Sequence, residues 1–445
     1  MYTAYIGRRL LDLYNARRRQ ELPLNARAFF DKVFFPLFFD DERYLMLANN
    51  SKFDQKAKQK KAGNPAERRE ALASFHADVA TLEEPLGHLF QGGYTAELER
   101  ATSSQVTNLK LPVSSEEVYL SWFGLAAGIG VKGGLSMLVD TEEVLDAILE
   151  GWVQYRAYLR QTPVLKAYQI DTWNGWWLIH RFGEMYQVTD PLRDFPAELP
   201  VKNGVAAFDT PPWIRVLFAL SSLEGVSRQM AYVYSFGQTN TTVGFVQLDL
   251  PRVQGLPALY ERLFGKTPAF VGRQQFVQMY EPAYGFRRAC EMGSIGLRAL
   301  EPDKLRNFMP GGKNQLPVLS SGRNPHEQEV SFAIYQTWII AMLNNEDLLM
   351  FADKAAEALH ATAISEERGK TTNMRAVEEG VLKATNRRAF IEGLTELLEK
   401  DKDDAHAQTF NQLVTEIMKM PANDFPLLLT LIRFKYALRN RKADL

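Results

Sequence analysis

Residues 128–150 read GIGVKGGLSMLVDTEEVLDAILE. Gly128, Gly130 and Gly133 stand at the spacing G-x-G-x-x-G, which in a dinucleotide fold follows a strand and opens a helix. Here the glycines lead into GLSMLVD (134–140), a short apolar run that reads as a buried strand. The helical period starts only afterwards, in TEEVLDAILEGWVQYRAYLRQ (141–161), with Asp140 and Glu143 at capping-box spacing. Glycines ahead of a strand predict a tight turn where backbone approaches something closely. Lys132 in that turn could meet a phosphate, although a solvated loop lysine is the commoner case.

Outward from this stretch, TTVGFVQLDL (241–250) alternates as a strand and Pro251 ends it. From about 110 to 320, glycine and proline are frequent and the texture is mixed. Beyond about 325 glycine nearly vanishes and helical periodicity takes over. VSFAIYQTWIIAMLNNEDLLMFADKAAEALHATAI, NRRAFIEGLTELLEK, DAHAQTFNQLVTEIMKM and NDFPLLLTLIRFKYALRNRK read as helices with short polar joints. In the last, Leu427, Leu431, Phe434 and Leu438 form a stripe. Toward the N-terminus, Ile6, Leu10, Leu13 and Tyr14 share one face of an amphipathic helix. FFDKVFFPLFFDDERYLMLANN (29–50) supplies core phenylalanines, interrupted by Pro36, and a helix is expected from about 66 to 82. The fold class is α+β. A large mixed N-terminal domain with many loops (1–325) precedes a C-terminal helical bundle (326–445).

The chain has 445 residues, 46% of them apolar, and a net charge of −1. That composition supports large cores and excludes a mostly disordered chain. The single cysteine, Cys290, rules out an intrachain disulfide and a cysteine-based metal site. His76, His88, His180, His326, His360 and His406 include no pair at ligand spacing, and HEQE (326–329) lacks a second histidine because position 330 is Val330. No Walker A motif and no G-x-S-x-G elbow occurs, so no cofactor is expected. No signal-peptide core and no apolar run of ~18 residues is found, which predicts a cytoplasmic protein without a membrane span.

A neutral chain makes any nucleic-acid footprint local. SKFDQKAKQKKAGNPAERRE (51–70) concentrates Lys52, Lys56, Lys58, Lys60, Lys61, Arg68 and Arg69 against Asp54 and Glu67. Further basic groups are Arg387 and Arg388, and a tail holding Arg433, Lys435, Arg439, Arg441 and Lys442. Each is ordinarily a solvated face; several together suggest a phosphate-backbone track. Two amide-rich stretches, SFGQTNTTVGF (235–245) and FVGRQQFVQ (270–278), carry Gln238, Asn240, Arg273, Gln274 and Gln275, which suit base edges. The densest aromatic stretch, YQIDTWNGWWLIHRFGEMYQ (168–187), reads chiefly as core or interface, with base stacking as the alternative for Trp173, Trp176 and Trp177.

FFDKVFFPLFFDDERYLMLANNSKFDQ, LSWFGLAAGIGVKGGLSMLVD and QIDTWNGWWLIHRFGE together resemble the large subunit of type I CRISPR Cascade complexes, in particular the shorter I-B and Myxococcus-type branch. The resemblance covers about residues 28–185 and extends to the C-terminal bundle. It implies a non-nuclease subunit whose α+β domain lies near the 5′ handle of the guide RNA, reads the protospacer-adjacent motif in duplex DNA and helps open the duplex. The bundle would resemble the small Cascade subunits and hold the displaced strand. Partners would be guide RNA, target DNA, the other Cascade subunits and, depending on the system, a helicase-nuclease or transposition proteins.

On that reading Lys56, Lys58, Lys60 and Lys61 grip nucleic-acid backbone. Gln238, Asn240, Gln274 and Gln275 read a groove, and Arg387, Arg388, Arg433 and Arg439 line a strand path. These roles rest on chemistry and placement, with no family motif behind them. Two other readings compete: a nucleotide-binding enzyme using the 128–134 turn, and a scaffold that binds only protein.

Overall fold

The structure, a computed structural model, describes residues 1–17, 22–47, 51–53, 64–80, 113–195, 199–235, 242–265, 272–318, 325–365, 370–399 and 404–443. Helix α1 (Tyr2–Arg17) is followed by α2 (Ala26–Phe29), a π-helical turn (Phe30–Phe34), α3 (Phe35–Phe38), α4 (Pro65–Ala80) and α5 (Ser115–Ala126). Then come β1 (Ile129–Val131), β2 (Leu135–Val139), α6 (Glu142–Gln161), α7 (Ile170–Arg181), β3 (Val201–Lys202), β4 (Val205–Ala206), α8 (Trp213–Ser221), β5 (Gln229–Ser235) and β6 (Thr242–Leu248). Next are α9 (Leu250–Phe264), α10 (Arg273–Met279), α11 (Phe286–Glu291) and β7 (Ser294–Ile295). The remaining helices are α12 (Pro325–Leu343), α13 (Asp347–Ile364), α14 (Lys370–Arg375), α15 (Arg387–Leu398), α16 (Asp404–Lys419) and α17 (Phe425–Ala443). The fold is α+β, as expected.

One five-stranded sheet has the order β1-β2-β5-β6-β7, antiparallel except for the parallel β6–β7 pair. The chain divides into two compact units: 1–254 with 285–296, and 255–284 with 297–445. The expected boundary at 325/326 therefore differs from the packing. Residues 255–284 cluster with the helical unit, while 285–296 return to the first unit to supply α11 and β7.

The first unit is built on aromatic packing. Phe29, Phe30, Phe34, Phe35, Phe38 and Phe39 are all buried, with Phe53, Phe75, Trp122, Phe123 and Trp152 among their ring neighbours. The π-helical turn lies where Pro36 has no N–H to give; there Phe35 N–H donates five residues back, to the Phe30 carbonyl. Helices α1 and α5 cross so closely that a Cβ on Gly7 would overlap the Leu120 carbonyl, and one on Gly124 the Thr3 carbonyl. Buried Arg156 donates to the carbonyls of Leu37 and Arg43 at 2.7 and 2.8 Å and so anchors the loop after α3 to α6.

The expected capping box at Asp140 and Glu143 does not form. Thr141 is the N-cap residue of α6, and Asp140 is engaged instead by the Tyr5 hydroxyl and by Arg9 Nε at 3.0 Å. A full capping box occurs at α5, where Ser114 and Glu117 satisfy each other's backbone N–H groups.

In the second unit, Asn344 breaks the long apolar segment with a left-handed φ of 51°, separating α12 from α13. Helix α17 is buried around most of its circumference. Leu428, Leu429, Leu431, Ile432, Arg433 and Phe434 are each 0% exposed, so it is a core helix, a wider burial than the expected single stripe describes.

Candidate nucleic-acid interface

The G-x-G-x-x-G segment folds as the β1–β2 hairpin. Ile129 pairs with Met137, and Gly133 (φ 113°) and Gly134 (φ 76°) make the turn. No helix begins in it, so the spacing does not build a dinucleotide cradle. Gly128 and Gly130 serve packing. A side chain on Gly128 would strike the Asp171 carboxyl, Tyr234 Oη and Ser136 Oγ, and one on Gly130 would lie 2.9 Å from the Asp171 backbone. The approach is mutual, because a Cβ on Gly175 of α7 would sit 2.6 Å from the Gly130 carbonyl oxygen.

Helix α7 thus clamps the hairpin. Asn174 Nδ2 donates to the carbonyls of Ala126 and Gly128 at 2.8 and 2.9 Å, and Ser136 Oγ donates to Asp171 Oδ1 at 2.8 Å. The Asp171 carboxyl group is buried against Ser136. That burial pushes it up to about 6, against the opposing pull of the Ser136 hydrogen bond. Burial also raises Tyr234 well above its ordinary value. Trp173, Trp176 and Trp177 are core residues. Their indole N–H groups donate to the carbonyls of Gly151, Asp209 and Ala147, so they present no stacking faces. Cys290 is buried, and desolvation pushes its thiol up to about 12, the signature of a packed residue.

The register of the sheet joins residues far apart in sequence. Leu135, first residue of β2 after the turn, pairs with Ser235, last residue of β5. The exposed Lys132 turn therefore lies at the end of the sheet where β5 stops at Ser235, before the 236–241 connection in sequence. Gln238 and Asn240 belong to that connection and lie outside the described residues. Farther along the same strands, Tyr232 and Phe245 are cross-strand partners with ring centroids 4.9 Å apart, and Tyr2 packs on both. Tyr5, stacked on Tyr2, is 48% exposed and Phe245 56%. The alternation of TTVGFVQLDL was the available signal for Phe245.

Other candidates are dispersed. Lys56, Lys58, Lys60 and Lys61 lie outside the described residues. Arg68 is held 3.0 Å from Asp40, whereas Arg69 on α4 is exposed. Arg273, Gln274 and Gln275 form the first turn of α10, in the second unit. Arg387 donates to the Met420 carbonyl, and Arg388 pairs with Glu392 at 2.7 Å. Arg439 pairs with Asp353 at 3.0 Å and Glu357 at 3.3 Å. Arg433 lines no surface path: it is 0% exposed, and its guanidinium donates to the carbonyls of Leu382 and Phe308.

Among the described residues no cluster of three potential metal ligands exists, and no helix is long and apolar enough to cross a membrane. Comparison with protein-family models, curated proteins and solved structures yields no match for this chain.

Proposed function

We propose that this chain is a non-catalytic, nucleic-acid-binding large subunit of an RNA-guided, DNA-targeting complex of the type I CRISPR Cascade kind. The observation that carries the reading is the exposed Lys132 turn of the hairpin clamped by α7, at the sheet end where β5 stops at Ser235 and the sequence runs on to Gln238 and Asn240. A cation supplies phosphate contact, and amide side chains supply base-edge contact. The half-exposed ring of Phe245 on the same sheet, and that of Tyr5 on α1, add stacking surface. The sequence resemblance over about residues 28–185 supplies the class of complex, in which base pairing to the guide reads the sequence and protein contacts are needed mainly to backbone and a short motif. The 52–69 basic segment fits the backbone contacts, and the helical second unit fits the bundle of such subunits.

The test is purification of the native assembly from host cells with its bound nucleic acid sequenced. A guide RNA with a constant 5′ handle, together with partner subunits, is the expected result. A stable protein carrying neither RNA nor partners would sink the proposal.

A further inference from the structure

The second unit contains a cleft of about 520 Å³, within the usual range for small-molecule sites. It opens between the 304–318 segment and the first half of α12. Phe308, Phe332 and Tyr335 form its aromatic wall, with ring centroids 5.9 to 6.2 Å apart. Asn307, Gln328 and Ser331 supply polar groups to the lining, and Lys304 and Glu327 its charges. Lys304 is held in a left-handed backbone conformation (φ 65°) at the start of the short helix that carries Asn307 and Phe308.

A second observation lies behind the wall. Arg433 is fully buried and gives Nη1 to the Phe308 carbonyl at 2.6 Å. Its Nη2 is buried without a hydrogen-bond partner, and among the described residues no carboxylate lies within ion-pair distance of the guanidinium. An arginine stays charged, and a charge without a carboxylate partner in a low-dielectric interior extends a positive potential to its surroundings, here to Phe308, which lines the cleft. Lys304 adds to that potential, while Glu327 and Asp303, whose charge reaches Tyr335, oppose it. Flat apolar rings, amide and hydroxyl groups, and a lysine at the rim are the complement of a base with its phosphate.

We infer that this cleft binds a nucleotide, its base against the Phe308 side and its phosphate toward Lys304. The inference does not depend on the RNA-guided reading, which concerns the sheet end of the other unit. A free nucleotide and an unpaired residue of a strand present the same base and phosphate, and the experiment separates them.

The full chain is titrated by calorimetry with AMP and, separately, with a single-stranded deoxyadenosine hexamer. Ser331→Leu fills the cleft and is expected to weaken binding by more than about tenfold. Lys304→Gly removes the cation while keeping a residue suited to φ 65°, with an expected loss of about five- to tenfold. Glu327→Gln, which removes one opposing charge, is expected to tighten binding about two- to threefold. Binding of AMP with this pattern assigns a free nucleotide. Binding of the hexamer alone with the same pattern assigns a strand residue. The inference is overturned if neither ligand binds, or if Ser331→Leu keeps the wild-type circular dichroism and wild-type affinity. Should that variant misfold, unchanged affinity in both Lys304→Gly and Glu327→Gln overturns it equally.

Discussion

The carboxyl group of Asp171 in the first unit and the guanidinium of Arg433 in the second are both withdrawn from water, and the two sites meet the cost in different ways. Asp171 has one side-chain donor, Ser136 Oγ, and can escape its charge by taking up a proton near neutrality. Arg433 has no such exit. Desolvation lowers it only to about 10, so it stays charged at any physiological pH and depends on the carbonyls of Leu382 and Phe308. A buried acid makes its surroundings sensitive to pH. A buried arginine makes them sensitive to substitution.

The largest effect that would break this contrast is at Arg433. Arg433→Ala strands two buried carbonyls and opens a cavity, with an expected loss of about 3–5 kcal/mol in denaturant unfolding. Arg433→Lys should recover only part, because one ammonium cannot reproduce the fork. If Arg433→Met were as stable as the wild type, the hydrogen bonds would contribute no net stability.

Asp171 comes next. Its folded value of about 6 lies above its ordinary 3.8, so the folded state binds the proton more tightly than the unfolded state. Its contribution is therefore most favourable below pH 4, falls as pH rises from about 4 to about 6, and is flat above that. The span is up to about 3 kcal/mol at roughly 1.4 kcal/mol per unit. Asp171→Asn should remove this step from a plot of stability against pH. A variant whose profile parallels the wild type would place the proton elsewhere.

A finer contrast lies within the hairpin. Gly130→Val drives its side chain into the Asp171 backbone and should cost about 2 kcal/mol or more, whereas Gly133→Ala meets open space and costs about 1 kcal/mol of backbone strain. Loss of ligand binding on changing Gly130 would consequently report packing and not a nucleotide at the turn. Nucleotide affinity is informative only in the Gly133 variant. The smallest stability effect, within about 0.5 kcal/mol, is expected for exposed Lys132→Ala. In the native complex that change should weaken DNA binding and make its logarithmic salt dependence shallower by about one unit, if Lys132 meets a phosphate. An unchanged salt slope would remove Lys132 from the interface.

Local pattern carried much of the architecture. Strand β2, helix α6, the α12–α13 pair and the buried tryptophans all follow from apolar runs and helical period in single stretches. What escaped was long-range. The link between the Lys132 turn and the end of β5 exists only through the Leu135–Ser235 register, 100 residues apart in sequence. Gly128 and Gly130 read as a place of close backbone approach, but that the approaching element is α7 is visible only in the fold. Arg433 sits among the apolar residues of α17, and nothing in its neighbours says that its partners are carbonyls on distant segments. The cleft beside Phe308 was equally illegible, since its wall joins residue 308 to residues 332 and 335.

The return of residues 285–296 to the first unit has a consequence for synthesis of the chain. The ribosome delivers 255–284, which cluster with the later helices, before it delivers β7, the strand that completes the earlier sheet. The sheet can therefore close only after a piece of the second unit has emerged and is waiting for partners made later. A shorter product started at an internal methionine such as Met350 would lack both that piece and α12. Such a product would have to find another surface for the helices it retains.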